Sequence, residues 1–135
     1  MKVGILRCQE QSNNCAGYQC LPAVQNRTGE FARYDNVDLV GFETCGGCAR
    51  GRDTKIVERA MRLKEKGAEV LHFGSCLMVC PFRAIYEEGL REKVGLPIVH
   101  FTHWHPPEPA GDNSGLPVIT ITYPFKEKPH DPSEI

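Results

Sequence analysis

Cys45-Gly46-Gly47-Cys48 is the segment of this chain best suited to chemistry. Two thiolates two residues apart can chelate one tetrahedral ion, and the glycines permit the tight turn because positive φ carries no Cβ penalty for them. The same spacing serves a redox dithiol in which a helix amino terminus lowers one thiol's pKa. A structural turn holding two buried cysteines is the third reading. Ligation of a metal or a metal cluster is the expectation, because more thiols follow along the chain.

Cys76 and Cys80 lie on a segment that runs into a helix, where free amide hydrogens favour negative charge at Cys80. Cys8 ends the first apolar run and has no close partner in sequence. Cys15 and Cys20 bracket Ala16-Gly17-Tyr18-Gln19; they could form a second ligand or redox pair, but are read here as packing residues. His100 and His103 stand three apart, so strand alternation sends them to opposite faces unless the strand has already ended, and His103 is the one chosen for the site. His72 falls inside a strand and reads as a packed, hydrogen-bonded residue.

These residues need elements to position them. Val3 to Cys8 is a β-rich run, and Leu21 to Arg27 carries Pro22 as a first-turn residue with Gly29 to stop the helix. A second strand, Val37 to Thr44, ends at Cys45. Ile56, Val57, Ala60, Met61 and Leu63 then form the apolar stripe of a helix with Asp53 as its expected cap and Gly67 as its end. Val70 to Gly74 is the third strand. Pro81 opens a helix running to Lys93, with Phe82, Ile85, Tyr86 and Leu90 inward, and Pro97 to Thr102 is the fourth strand.

This rhythm predicts an α/β fold. It is a single three-layer domain with a mostly parallel sheet of four or five strands, in the flavodoxin-like order 2-1-3-4. The domain is assigned to residues 1–105 and a Pro-rich extension to 106–135, in which Val118 to Tyr123 is a candidate edge strand. In such a sheet, ligands collect beyond the carboxyl ends of the strands. Cys8, Cys45, Cys48, Cys76, Cys80 and His103 all fall there, on strand ends about 5 Å apart, as candidate ligands of one metal centre.

Composition narrows the classes. The 135 residues suit one domain, and 41% hydrophobic with 24% charged residues is ordinary for a globule. A formal charge of -1, with basic and acidic residues interleaved, offers no footprint for nucleic acid or anionic lipid. The amino terminus lacks the long apolar region of a secretory signal, and no apolar run is long enough for a membrane span. A cytoplasmic protein is expected, where seven cysteines are better explained by metal ligation or thiol chemistry than by disulfides. No dinucleotide fingerprint, Walker loop, zincin helix or hydrolase elbow occurs.

The chain resembles the CGGC-domain family of small proteins assigned a metal-binding role in bacteria and archaea. The resemblance runs from Val3 to His103. It is carried by Arg7-Cys8, the cysteines at 15 and 20, Gly29-x-Phe31, Gly41-Phe42 before Cys45-Gly46-Gly47-Cys48, then Ser75-Cys76, Cys80-Pro81-Phe82 and Thr102-His103. The short segment from Cys76 to Cys80 and the Pro-rich tail depart from many relatives. The resemblance implies a metal role for Cys8, Cys45, Cys48, Cys76, Cys80 and His103. The expected function is therefore metal binding, as a sensor, carrier or regulatory module, with zinc as the ion and an iron–sulfur cluster as the alternative. A thiol- or iron–sulfur-dependent reductase and a domain merely stabilised by metal are the competing functions.

Overall fold

The structure, a computed structural model, describes residues 1–103 and the pair Thr122–Tyr123. Its elements are β1 (Lys2–Arg7), α1 (Gln9–Ser12), α2 (Cys20–Asn26), a 3-10 helix (Gly29–Arg33), β2 (Asp38–Thr44), α3 (Arg52–Glu65), β3 (Val70–Phe73), α4 (Ser75–Met78), α5 (Arg83–Lys93), β4 (Ile98–His100) and β5 (Thr122–Tyr123). The sheet order is β2-β1-β3-β4-β5, parallel as far as β4, so the expected 2-1-3-4 arrangement is the one observed. β5 pairs antiparallel with β4. The remainder of the expected 106–135 extension lies outside the described residues.

Alternation along the strands builds two cores, one on each face of the sheet. Leu6, Leu71, Phe73 and Ile98 point to one side and bury Ile56, Ala60 and Leu63 of α3 and Tyr86 and Leu90 of α5. Val3, Ile5, Val70 and Val99 point to the other, where Ala23 and Val24 of α2 and Phe31 and Tyr34 cover them. A bulge in β2 interrupts this pattern: Val3 pairs with Leu39 but Gly4 with Gly41. Val40 therefore packs on the same face as Gly41, which lies directly under α3. A Cβ on Gly41 would stand 2.3 Å from Leu63 Cδ2, and one on Gly4 would stand 2.9 Å from Leu63 Cδ1. These paired glycines let the helix settle closely on β1 and β2.

Several local expectations change. α2 is stopped by Arg27, in the left-handed region at φ 54, rather than by Gly29. Gly51, at φ 85, takes the N-cap of α3, leaving Asp53 in the first turn, where its charge complements the helix dipole. α5 begins at Arg83 with Phe82 as N-cap, so Pro81 precedes the helix. Ile85 is 50% exposed because α5 leans its Tyr86 and Leu90 face onto α3. Ser75 to Met78 is a helical turn rather than a loop.

Gly29 has a different task from stopping a helix. At φ 60 it starts the 3-10 helix, and a Cβ there would lie 2.4 Å from the Thr102 carbonyl oxygen and 2.7 Å from that of His103. This close approach lets the Glu30 N–H donate to the Thr102 carbonyl at 2.8 Å. Gly29→Ala is accordingly expected to destabilise the domain by about 1–3 kcal/mol and to loosen the turn carrying His103. Urea unfolding, together with amide exchange at Glu30, checks this; unchanged exchange would show that the approach is not needed.

Candidate functional site

The register brings the strand ends level. Arg7 pairs with Thr44, Leu6 with Phe73 and Phe73 with His100, so the segments after β1, β2, β3 and β4 leave from one rim. The rim is fastened by backbone bonds that continue the sheet: Cys45 N–H donates to the Arg7 carbonyl and Gly74 N–H to the Leu6 carbonyl, both at 2.8 Å. Thr44 Oγ1 accepts from Arg59 at 2.6 Å and donates to Gln9 Oε1 at 2.9 Å, tying the end of β2 to α1 and α3. All seven cysteines are free thiols.

Above this rim the six residues selected from sequence divide. One group consists of Cys45, Cys48 and Cys80, with Cys8 at its edge. Cys45 is buried at 2% exposure in the α3/α5 core, and Cys8 and Cys80 pack against the same core. Cys48 is exposed at the end of the turn. Gly46 and Gly47 adopt φ 99 and 102, the conformation expected of a tight Cys-Gly-Gly-Cys turn. A side chain at Gly46 would also strike Lys55 Cβ at 2.7 Å, so α3 closes over the turn. The Cys48 thiol is raised by partial burial and then by the neighbouring charges of Cys45, Cys80 and Cys8. Tyr86 Oη is buried without a partner, and its pKa is pushed up to about 12 by burial and by Cys45, Cys80 and Cys48.

The second group holds Cys76 and His103, and with them Cys15 and Cys20. Cys8 N–H donates to Cys76 Sγ at 3.2 Å, which places Cys76 over the end of β1. Cys20, at the start of α2, shares a hydrogen bond with Thr102 Oγ1 at 3.2 Å and lies 3.6 Å from His103 Nδ1. Burial raises the Cys20 and Cys76 thiols and lowers the His103 imidazole, so these groups favour their neutral forms. The Cys15 thiol is lowered instead, by the amide hydrogens of Gly17 and Tyr18 and by Arg7. These residues line a cavity of about 100 Å³ together with Arg7, Ser75 and Gly17.

From sequence Cys15 and Cys20 read as packing residues, and Arg7 and Ser75 stand in the motifs of the resemblance without being site candidates. The usable signal lay in topology: β1 is central in the order 2-1-3-4, so the loop after it must cross the middle of the rim. His100, by contrast, faces α5 and donates from Nε2 to Glu87 at 2.7 Å, while β4 ends at His100, so His103 is set by the turn through Phe101 and not by strand alternation. His72 is fully buried, as expected of a packed residue. Among the described residues, no three His, Cys, Asp or Glu side chains converge closely enough to form a ready-made metal site.

Comparison with known proteins agrees with the pattern of residues. The CGGC domain model matches residues 2–103. An uncharacterized protein of Methanocaldococcus jannaschii is 38% identical over 114 residues, covering 76% of this chain and 87% of that protein. No solved structure matches the chain. No helix among the described residues is long and apolar enough to cross a membrane. With the family's model matching nearly all of its described length, the chain belongs to the CGGC domain family.

Proposed function

We propose that the group around the Cys-Gly-Gly-Cys turn binds a soft metal ion, zinc first, through Cys45, Cys48, Cys80 and Cys8. The observation that supports it is that thiols from three different strand ends stand on one side of the rim, Cys8, Cys45 and Cys80 against the same core and Cys48 exposed at the end of the turn, so that a metal would need to draw them together. The donor set fits such an ion by type: sulfur ligands suit zinc or an iron–sulfur cluster. Tyr86 Oη, buried and unpartnered beside these thiols, is a donor for a ligating sulfur. A bound cation would offset the mutual repulsion of thiolates. Exposed Cys48 leaves an approach from solvent, as a carrier or sensor requires. The group holding Cys76 and His103 is less favourable to a cation, because the permanently charged Arg7 lines the same cavity.

The test is anaerobic purification with elemental analysis and an absorption spectrum on one sample, repeated with Cys45→Ser and Cys48→Ser. Near-stoichiometric zinc without visible absorption is expected. Each substitution should weaken binding at least about tenfold, since even the outer partners of a ligand are worth about 10–100-fold. Iron with labile sulfide would replace zinc by a cluster, and occupancy unchanged in both variants would remove the site. A thiol-redox function is the second reading, favoured by the lowered Cys15 thiol near Cys20; a disulfide that forms reversibly between those two residues would identify it.

A further inference from the structure

Resting on the thiol-redox reading, we propose that Cys15, Cys20 and His103 form a two-cysteine site that reduces a small alkyl hydroperoxide in the cavity they line. The two thiols stand in different surroundings. Cys15 is half-buried, and its Sγ accepts the Gly17 N–H at 3.4 Å in the turn that Gly17 makes at φ 83. The amide hydrogens of Gly17 and Tyr18, and then Arg7, lower this thiol, which supplies the attacking thiolate. Cys20 is buried, with its Sγ 3.2 Å from Thr102 Oγ1 and 3.6 Å from His103 Nδ1. Thr102 Oγ1 lies 3.4 Å from the same ring nitrogen, closing a triangle. A thiol, a base within reach and a third group that orients the base are the parts of an assisted nucleophile.

Size and polarity select the substrate. The exposed lining is almost wholly apolar, so an ion would lose its hydration there without replacement, whereas an uncharged alkyl group gains by burial. An apolar cavity of about 150 Å³ holds benzene, so about 100 Å³ takes about four non-hydrogen atoms, the size of ethyl hydroperoxide. The Cys15 thiolate attacks the terminal oxygen: the S–O bond forms, the O–O bond breaks, and the alkoxide leaves as ethanol with a proton from water. Cys20 Sγ then attacks the sulfur of the resulting sulfenic acid. The S–S bond forms and the S–O bond breaks. With its own hydrogen on Nε2, His103 accepts the Cys20 proton at Nδ1 and passes it to the departing hydroxide, which leaves as water. The hydroperoxide gains two electrons and the two thiols lose them; an external dithiol restores the thiols by exchange.

The site is tested on the reduced full-length chain with ethyl hydroperoxide or hydrogen peroxide, following Cys15 and its disulfide partner by mass spectrometry, with free cysteine in the same solution as reference thiol. The rate with ethyl hydroperoxide relative to hydrogen peroxide is expected to be about tenfold higher at Cys15 than at free cysteine, since each buried carbon is worth about fourfold. Cys20→Ser should stop at a Cys15 sulfenic acid that dimedone traps. His103→Gln should slow the disulfide step about a hundredfold, so that the sulfenic acid accumulates. The same relative rate at Cys15 and free cysteine, a disulfide from Cys15 to Cys76, or an undiminished disulfide step in His103→Gln would overturn the proposal. Diamide, a thiol oxidant of another class, tells its failure from that of the reading beneath it. A Cys15–Cys20 disulfide formed by diamide and not by ethyl hydroperoxide would overturn the proposal while the thiol-redox reading stands; no such disulfide from either reagent would overturn both.

Discussion

Replacing Arg33 with methionine is expected to lower unfolding stability by about 3–5 kcal/mol, because it removes one partner of a buried ion pair. The two side chains lie within the 3-10 helix, 2.6 Å apart, with exposures of 1% and 0%. Removing water from two charges is costly, and their attraction offsets that cost only while both are present. Glu30 is also the residue whose N–H holds the Thr102 carbonyl, so the loss should spread to the Cys20, Thr102 and His103 contacts. Urea unfolding of Arg33→Met, Glu30→Gln and the double variant measures the coupling. The double variant should be more stable than the sum of the single losses predicts; strict additivity would show that the pair is not the source.

Acidification is expected to remove about 2 kcal/mol of stability between pH 7.5 and pH 5 through His72 alone. Burial holds this imidazole at about 3, against an ordinary value of 6.5, so the folded state disfavours its charged form. The contribution is therefore complete above pH 6.5 and falls by about 1.4 kcal/mol per unit as the pH drops toward 3. Geometry fixes the neutral tautomer. Nδ1 lies 3.0 Å from the Phe101 carbonyl and must donate to it, which leaves Nε2 to accept from Tyr34 Oη at 2.7 Å. A proton added at Nε2 would oppose the tyrosine hydrogen and place a charge in the Phe31 and Tyr34 core. His72→Gln keeps a donor and an acceptor without titrating. Urea midpoints at the two pH values should differ less in that variant than in wild type, and an equal acid loss would assign the effect elsewhere.

Both changes act on a layer that Cys20 touches through Thr102 and His103. The 3-10 helix, His72 and the turn at Phe101 to His103 are joined by the Glu30–Thr102 and His72–Phe101 bonds. His103 reaches Cys20 only because that turn is anchored from below. Phe101 itself sits at φ 80, a conformation that tertiary contacts must hold for a side chain of its size.

What the amino-acid sequence determined by itself is what arises from local periodicity. Alternating residues in Val70 to Phe73, the helical stripe of Ile56, Ala60 and Leu63, and the glycines between Cys45 and Cys48 each specify an element within a few residues. The order of those elements implied a parallel sheet and a rim where the thiols would lie. The division of the rim into two groups depends on contacts between residues far apart in the chain. Cys20 meets Thr102 across 82 positions in one group, while the bond from Cys8 to Cys76 across 68 positions is where the two groups adjoin. Whether a loop turns toward α3 and α5 or toward α2 is decided by such meetings, and no spacing within the loop records it. Gly29 shows the same limit: its sequence neighbourhood resembles a helix stop, while its conformation answers to the Thr102 and His103 carbonyls brought against it by the fold. The unpaired Arg7 and Ser75 atoms likewise become visible only once the sheet has closed water away from them.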